Sequence, residues 1–288
     1  MPQNKDLVSI AMREGVAFNR MDRRIPSGLS APDVGLPDSF ALDLRVYHQL
    51  LPLYHFNALA ASHMLPPNGV FVHFGVDAAQ FLIYLAQKRP DIYIIGLEAR
   101  CDSVSQQITA VNAAKLSERI QIVHCEMDQL SETVPDVADL FSTTMSLHRL
   151  ASEAELAIFM RQAALIRLHS GAGFWIFDYS RPKTNRTIED LLSLCFPNAG
   201  GPLRVRERTA LQSAFALPEI VAATSLLNVG DVQSALSRPL GYYQAHWLSP
   251  TGTGIAIGHS NWVEEPLPPA AYKEFTSIGQ MFPQSIIA

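Results

Sequence analysis

Gly75 and Glu98 are the residues whose types and spacing point most directly to chemistry. Gly75 closes the apolar run Val70 to Phe74, and Glu98 closes a second apolar run, Ile92 to Leu97, 23 positions after that glycine. A glycine lets the backbone turn tightly and approach a ligand with no Cβ in the way. A carboxylate at a strand tip accepts hydrogen bonds from ribose hydroxyls, and an acid about 20 residues after the turn is the spacing of a nucleoside-binding unit. Between the two lies a helical pattern of Phe81, Leu82, Leu85 and Ala86, so the stretch reads strand, turn, helix, strand, acid. In an open parallel sheet, ligands sit at the carboxyl ends of the strands, where a helix N-terminus offers free N–H groups. The implied chemistry is recognition of a nucleotide-like ligand.

The Gly-x-Gly-x-x-Gly fingerprint of dinucleotide binding is broken, because Asp77 and Gln80 stand where its later glycines belong. His73, Gly75, Asp77 and Ala79 instead resemble the acid-x-Gly-x-Gly-x-Gly motif of the class I S-adenosylmethionine-dependent methyltransferases, with only Gly75 kept and the acid replaced by His73. Further segments resemble that family in order and spacing. IQIVHCEMDQL is similar to its third strand and acid, which places Glu126 before the adenine loop. DLFSTTMSLHRL resembles its fourth strand, ending in Leu147 and His148. A helical stretch from Ser152 to Leu168 then leads to HSGAGFWIFDYSRP, similar to the fifth strand and ending in Asp178. The resemblance covers roughly residues 60 to 260.

It implies a doubly wound α/β fold around a mostly parallel seven-stranded sheet with an antiparallel last strand. It also implies S-adenosylmethionine as cofactor and methyl transfer to a small-molecule acceptor, of the kind made in specialised metabolism. The cofactor residues carried over are His73, Gly75, Asp77, Ala79, Glu98, Ala99, Glu126, Met127 and Thr143. Asp tolerates a left-handed backbone, so Asp77 can keep the turn, and its carboxylate can take over the contact of the displaced acid. Glu126 and Met127 flank adenine, the methionine by soft apolar contact, with Asp128 exchanging roles with Glu126 under a two-residue slip. Methyl transfer needs in-line placement, exclusion of water and a base for a protonated nucleophile. His148 is the candidate base, although a histidine there can equally pack or cap. Tyr54, His55, Tyr179, Arg181 and His246 are candidates to line the substrate site, Arg181 suiting a carboxylate. Each also has an ordinary reading as a packed aromatic, and Asp178 is equally able to hold Arg181 or a helix start.

The elements that must position these residues fall into three stretches. Residues 1–64 form an N-terminal arm and helical cover, residues 65–262 the α/β domain, and residues 263–288 a tail with Pro266, Pro268 and Pro269. Within them, VSIAMREGVAF reads as helical, Ile25 to Asp38 as a loop, and Ser39 to Met64 as a helix ended by Pro66-Pro67-Asn68-Gly69. Thr187 to Leu227 reads as two helices separated by PNAGGP, followed by a hairpin of Val232 to Ser237 and Tyr242 to Leu248. SPTGTGIAIGHS holds Gly252, Gly254 and Gly258 but no Lys, so it reads as a turn rather than a phosphate loop.

Composition narrows the classes. At 288 residues, 48% hydrophobic and 17% charged, the chain can bury a substantial core. A net charge of −5 carries no basic footprint for nucleic acid, and Arg204, Arg206 and Arg208 read as a solvated face. Cys101, Cys125 and Cys195 are too scattered for a disulfide framework or a metal site, so no metal is expected. No run approaches the roughly 20 apolar residues of a membrane span. The expectation is a cytoplasmic enzyme with a small-molecule partner, no nucleic-acid or membrane partner, and a homodimer or partner subunit as an option. Two alternatives follow from the damaged motif: a catalytically inactive methyltransferase-like subunit, or an enzyme using the cofactor for another reaction.

Overall fold

A computed structural model describes residues 4–15, 21–23, 44–75, 79–195, 201–225, 229–239, 241–251 and 261–282. In chain order the elements are α1 (Asn4–Gly15), α2 (Leu44–Met64), β1 (Val70–Phe74), α3 (Ala79–Lys88), β2 (Tyr93–Glu98) and α4 (Cys101–Ala113). There follow β3 (Ile120–His124), α5 (Leu130–Thr133), β4 (Leu140–Thr144), α6 (Glu153–Ser170) and β5 (Gly173–Tyr179). The chain continues with α7 (Asn185–Cys195), α8 (Gly201–Ser213), α9 (Leu217–Ser225), β6 (Gln233–Leu236), β7 (Tyr243–Leu248) and α10 (Pro269–Met281). The strands form one seven-stranded sheet in the order β3-β2-β1-β4-β5-β7-β6. β1 to β5 pair in parallel, and β7 is antiparallel to both β5 and β6. The strand order reverses between β1 and β4, and that switch point is where a doubly wound sheet opens a crevice.

Alternation along the strands sends side chains to two cores. Phe71, Ile94, Leu140, Trp175 and Phe177 face α2, α3 and α10. Val72, Leu97, Phe141, Phe174 and Ile176 face α5, α6 and α9. The central strands are covered on both sides, which explains why they read as apolar runs. α2 belongs to the first layer, since Phe56 is fully buried against Trp175, Phe177 and Phe282. Trp175 Nε1–H donates to Asn57 Oδ1 at 2.8 Å, satisfying the one polar atom of that ring.

Local chemistry sets the helix ends. Ser152 Oγ accepts from Glu155 N–H at 3.1 Å while Glu155 Oε2 accepts from Ala151 N–H at 2.6 Å, an arrangement close to a capping box at the start of α6. Gly171 ends it at φ +73°, donating to Arg167 O at 2.8 Å.

Two expectations change. Thr187 to Leu227 holds not two helices but parts of α7, α8 and α9. The extra break falls at residues 214–216, where buried Phe215 plugs the core and Pro218, lacking an N–H, suits the first turn of a new helix. The tail is no mere appendage: Pro268 and Pro269 start α10, and Ile278 and Phe282 close the core beside α2. The loop from Ile25 to Asp38, and Gly252, Gly254 and Gly258, lie outside the described residues. Arg208 on α8 forks onto Glu189 of α7 at 2.7 and 2.9 Å, a surface ion pair. Among the described residues, no helix is long and apolar enough to cross a membrane, and no three His, Cys, Asp or Glu cluster as a metal site would need.

Candidate active site

The carboxyl ends of β1 and β2 carry the first half of the site. Gly75 has φ +83°, the left-handed region that favours glycine, and its N–H donates to Leu97 O at 3.1 Å, tying the turn to the strand that ends in Glu98. A Cβ on Gly75 would lie 2.5 Å from Ser146 Oγ and 2.7 Å from Ser146 Cβ. Ser146 donates to Gly75 O at 2.7 Å, so the turn is stitched to the exit of β4. Close by, Thr143 Oγ1 is buried and has no hydrogen-bond partner among the described residues, and it lies 3.7 Å from that same Cβ point.

Glu98 is 7% exposed. Its Oε1 accepts from Arg100 N–H at 2.9 Å and its Oε2 from Gln107 Nε2–H at 2.8 Å. A carboxylate oxygen accepts two hydrogen bonds, so each keeps one free for a ligand hydroxyl. Burial raises the Glu98 pKa, while the Arg100 N–H, the Gln107 donor and the Arg100 charge pull it back. Next to it, Ala99 O lies 3.1 Å from His124 Nε2, which is also 3.4 Å from Glu126 Oε1 and 3.0 Å from Cys101 Sγ. Two oxygen acceptors around one nitrogen assign the hydrogen to Nε2. Glu126 is exposed, and Met127 opens a 3-10 turn (Met127–Gln129) with its side chain against the second core. Ala79 is buried at the start of α3. Asp77 lies outside the described residues.

His73 occupies the position of the missing acid but is sealed in. It lies between Phe71 and Phe81, with Nδ1 3.3 Å from Ser142 Oγ, and burial pushes its pKa down to about 3. It is a neutral, packed imidazole and offers no charge to a ligand.

The second half lies at the ends of β4 and β5. Met145 takes φ +54°, uncommon for a side chain of its bulk, with its N–H held by Phe177 O at 2.7 Å. The reversal drops the chain into a 3-10 turn (Leu147–Arg149) that carries His148. Asp178, at the tip of β5 and 1% exposed, accepts from His148 N–H at 3.1 Å and from His148 Nδ1–H at 2.7 Å. It also accepts from Tyr179 N–H at 2.7 Å. A carboxylate so held fixes the tautomer with the proton on Nδ1 and leaves the Nε2 lone pair for chemistry. Tyr179 presents its ring to His148 edge-on at 5.4 Å and donates its hydroxyl to buried Glu207 Oε2 at 2.5 Å. Burial first, and then the Glu207 charge, hold that phenol protonated by raising its pKa well above the usual value.

Other candidates go elsewhere. Arg181 donates to Ala214 O at 3.1 Å and to Glu219 Oε1, so it braces α8 and α9 rather than meeting a substrate carboxylate. Of the alternatives for Asp178, neither Arg181 nor a helix start is its partner; it holds His148. His246 is fully buried in β7, with Nδ1 2.8 Å from Ser234 Oγ and Nε2 3.2 Å from Gln244 Oε1. Burial takes its pKa to about 3. His55 bonds Tyr84 Oη at 2.5 Å and packs edge-on against Phe275 of α10. Its pKa drops to about 4, by burial first and then the Lys88 charge. Tyr54 packs near Phe81, with ring centroids 6.0 Å apart. Sequence reasoning missed Gln107, whose partner Glu98 is local, and Ser146, Glu207 and Arg23, whose partners are brought in by the fold. Arg23 lies over the Phe215 ring at 3.8 Å, donates to Ser213 O at 2.6 Å and also donates to Leu150 O.

No protein-family model matches the chain, and no curated protein does. Solved structures do. The plantazolicin methyltransferase BpumL, in complex with SAH, superposes with a TM-score of 0.55 at 11% identity, covering 85% of this chain and 97% of that one. An O-methyltransferase family protein from Burkholderia thailandensis gives 0.53 at 13% identity, covering 75% of this chain and 60% of that one. The chain has the class I methyltransferase fold. At these identities the likeness is one of fold, and the site must carry any statement about function. This chain spans less than two thirds of the Burkholderia protein's length, so its methyltransferase fold matches only part of that chain.

Proposed function

We propose that the protein is an S-adenosylmethionine-dependent methyltransferase acting on a small-molecule acceptor, in specialised metabolism. The observation that supports this reading is that the fold brings an Asp178-bonded His148 to one side of the Gly75 turn and a buried carboxylate, Glu98, to the other. The residues fit the cofactor. Gly75 offers a turn with no side chain, Glu98 keeps one lone pair on each oxygen for two ribose hydroxyls, and Thr143 Oγ1 is a buried group awaiting a partner. Ala99, Met127 and Ala79 supply the apolar surroundings. Bound there, the cofactor would supply an activated methyl group on a sulfonium.

What the chain must add is placement and a base. His148 Nε2 takes the proton of an acceptor hydroxyl or amine, Asp178 steadies the imidazolium that results, and Tyr179 fixes the ring's edge. Residues 1–64 act as the cover, supported by Arg23 bridging from the arm to Leu150, beside the turn that carries His148. The protein works in the cytoplasm in this reading, and a homodimer is compatible with it.

A second reading, a catalytically silent subunit binding a partner, draws on His73, whose buried neutral ring replaces an acid. Titration calorimetry with S-adenosylmethionine and S-adenosylhomocysteine separates the two. Saturable micromolar binding, followed by mass-spectrometric detection of a methylated product across a panel of phenols, acids and amines, supports the enzyme. A folded protein that binds neither ligand at millimolar concentration removes it.

A further inference from the structure

Glu98 is held in an unusual way for an acid that must stay charged to work. It is almost wholly buried, and the groups that keep its carboxylate in place come from its own exit loop and from one turn of α4. Arg100 donates its backbone N–H to the carboxylate, while its guanidinium is engaged with Asp102 at 2.8 Å. The remaining donor is Gln107, itself 5% exposed, two turns into α4. Across the strand pair, Glu98 stands opposite His124, whose Nε2 is turned to Ala99 O and Glu126 rather than to Glu98. The charged groups facing it among the described residues are thus Arg100 and Asp102, whose effects oppose each other.

Resting on the reading of Glu98 as a ribose acceptor, we infer that Gln107 is the positioning residue of the nucleoside site. Its amide fixes the carboxylate plane, keeps the charged form in a buried setting, and so sets the acid edge below which nucleoside affinity is lost. With one oxygen given to Arg100 N–H and the other to Gln107, the two remaining lone pairs are aimed together, as a vicinal diol requires. Protonating Glu98 turns one acceptor into a donor and breaks that pattern. A neutral donor favours the ionised acid, so removing it raises the pH at which the proton arrives. Burial already pushes Glu98 in that direction, so the Gln107 donor works against it.

The test is calorimetric binding of S-adenosylhomocysteine from pH 5 to 8 by the wild-type chain and by Gln107→Leu. Thermal melts over the same range go with it. The expected result is affinity about tenfold weaker at pH 7 for the variant, the size of one lost hydrogen bond to a charged group. Its acid edge should also lie at higher pH than the wild type's. Without ligand, the melting deficit of the variant should be largest at pH 8 and shrink toward pH 5, where a protonated Glu98 no longer needs the donor. A packing role would give a deficit independent of pH, and unchanged affinity with an unchanged acid edge overturns the inference while leaving the cofactor reading intact. Absence of binding by the wild-type chain overturns both. Should Gln107→Leu not fold, the isosteric Gln107→Glu takes its place. Its introduced carboxyl must weaken binding most at high pH and recover on acidification, and a flat response overturns the inference.

Discussion

The two ends of the candidate site are built differently. At β1 and β2 every partner of the key acid is local: Arg100 and Gln107 lie two and nine residues from Glu98. At β4 and β5 the partners are distant: His148 meets Asp178 across 30 residues, Tyr179 meets Glu207 across 28, and Arg23 reaches Ser213 across 190. The local half is a unit the chain makes wherever it forms a strand, turn and helix. The distant half exists only when the sheet, the α7 to α9 insertion and the arm are all in place. On the proposed function, the nucleoside half is therefore the sturdier of the two, and the half around His148 is the one that depends on global packing.

The sharpest way to break that contrast is to delete the base and leave the local half untouched. His148→Gln removes the Nε2 lone pair, and general-base catalysis is worth about 10²–10⁴ in rate. Once an acceptor is known, kcat should fall by that order while the affinity for S-adenosylhomocysteine stays within about twofold of the wild type. A loss of cofactor affinity as large as the loss of rate would show that the two ends do not act separately.

Acid offers the next test, because it reaches the sheet through two buried histidines, one on each side of the switch point. His73 at β1 and His246 at β7 are held neutral by burial, each with its pKa lowered to about 3. In the unfolded chain each takes up a proton near pH 6.5. Their folded pKa values are depressed, so the stability they protect is whole above about pH 6.5 and is lost as pH falls toward about 3. Well inside that window each withdraws about 1.4 kcal/mol per pH unit, roughly 3 kcal/mol for the pair. Melts between pH 7 and 5 should show the decline, and His246→Gln should flatten it by about half. An equal slope in the variant would mean that His246 is not sealed.

This difference between ends also explains what could be read from the chain. The strand-turn-helix-strand unit was legible because its apolar runs and the Gly75-to-Glu98 spacing are local. His148 was legible as a candidate from the Leu147-His148 exit, but its partner was not. Asp178 lies three residues before Arg181, and sequence proximity suggested an ion pair that the fold spends on Glu219 instead. His246 and His55 were unreadable for the same reason: an aromatic in an apolar stretch faces core or cavity according to tertiary packing alone. α10 was missed because a stretch with Pro266, Pro268 and Pro269 reads as a tail, whereas proline is well placed at a helix start.

Ser146 is where the two ends touch, and there the smallest effect can be argued in full. Gly75 has a left-handed backbone, which costs any other L-residue about 1–2 kcal/mol. Gly75→Ala would also push its Cβ to 2.5 Å from Ser146 Oγ and 2.7 Å from Ser146 Cβ, so Ser146 must move and its bond to Gly75 O is forfeited. A net hydrogen bond adds about 0.5–1.5 kcal/mol, giving roughly 2–3 kcal/mol for the single substitution. In a Ser146→Gly background both obstructing atoms are gone, and the same change should cost only the backbone share of about 1–2 kcal/mol. Denaturant melts of the four proteins give the coupling directly. Additive costs would mean that Gly75 serves this turn through its backbone alone, and that the stitch between the two halves carries no energy.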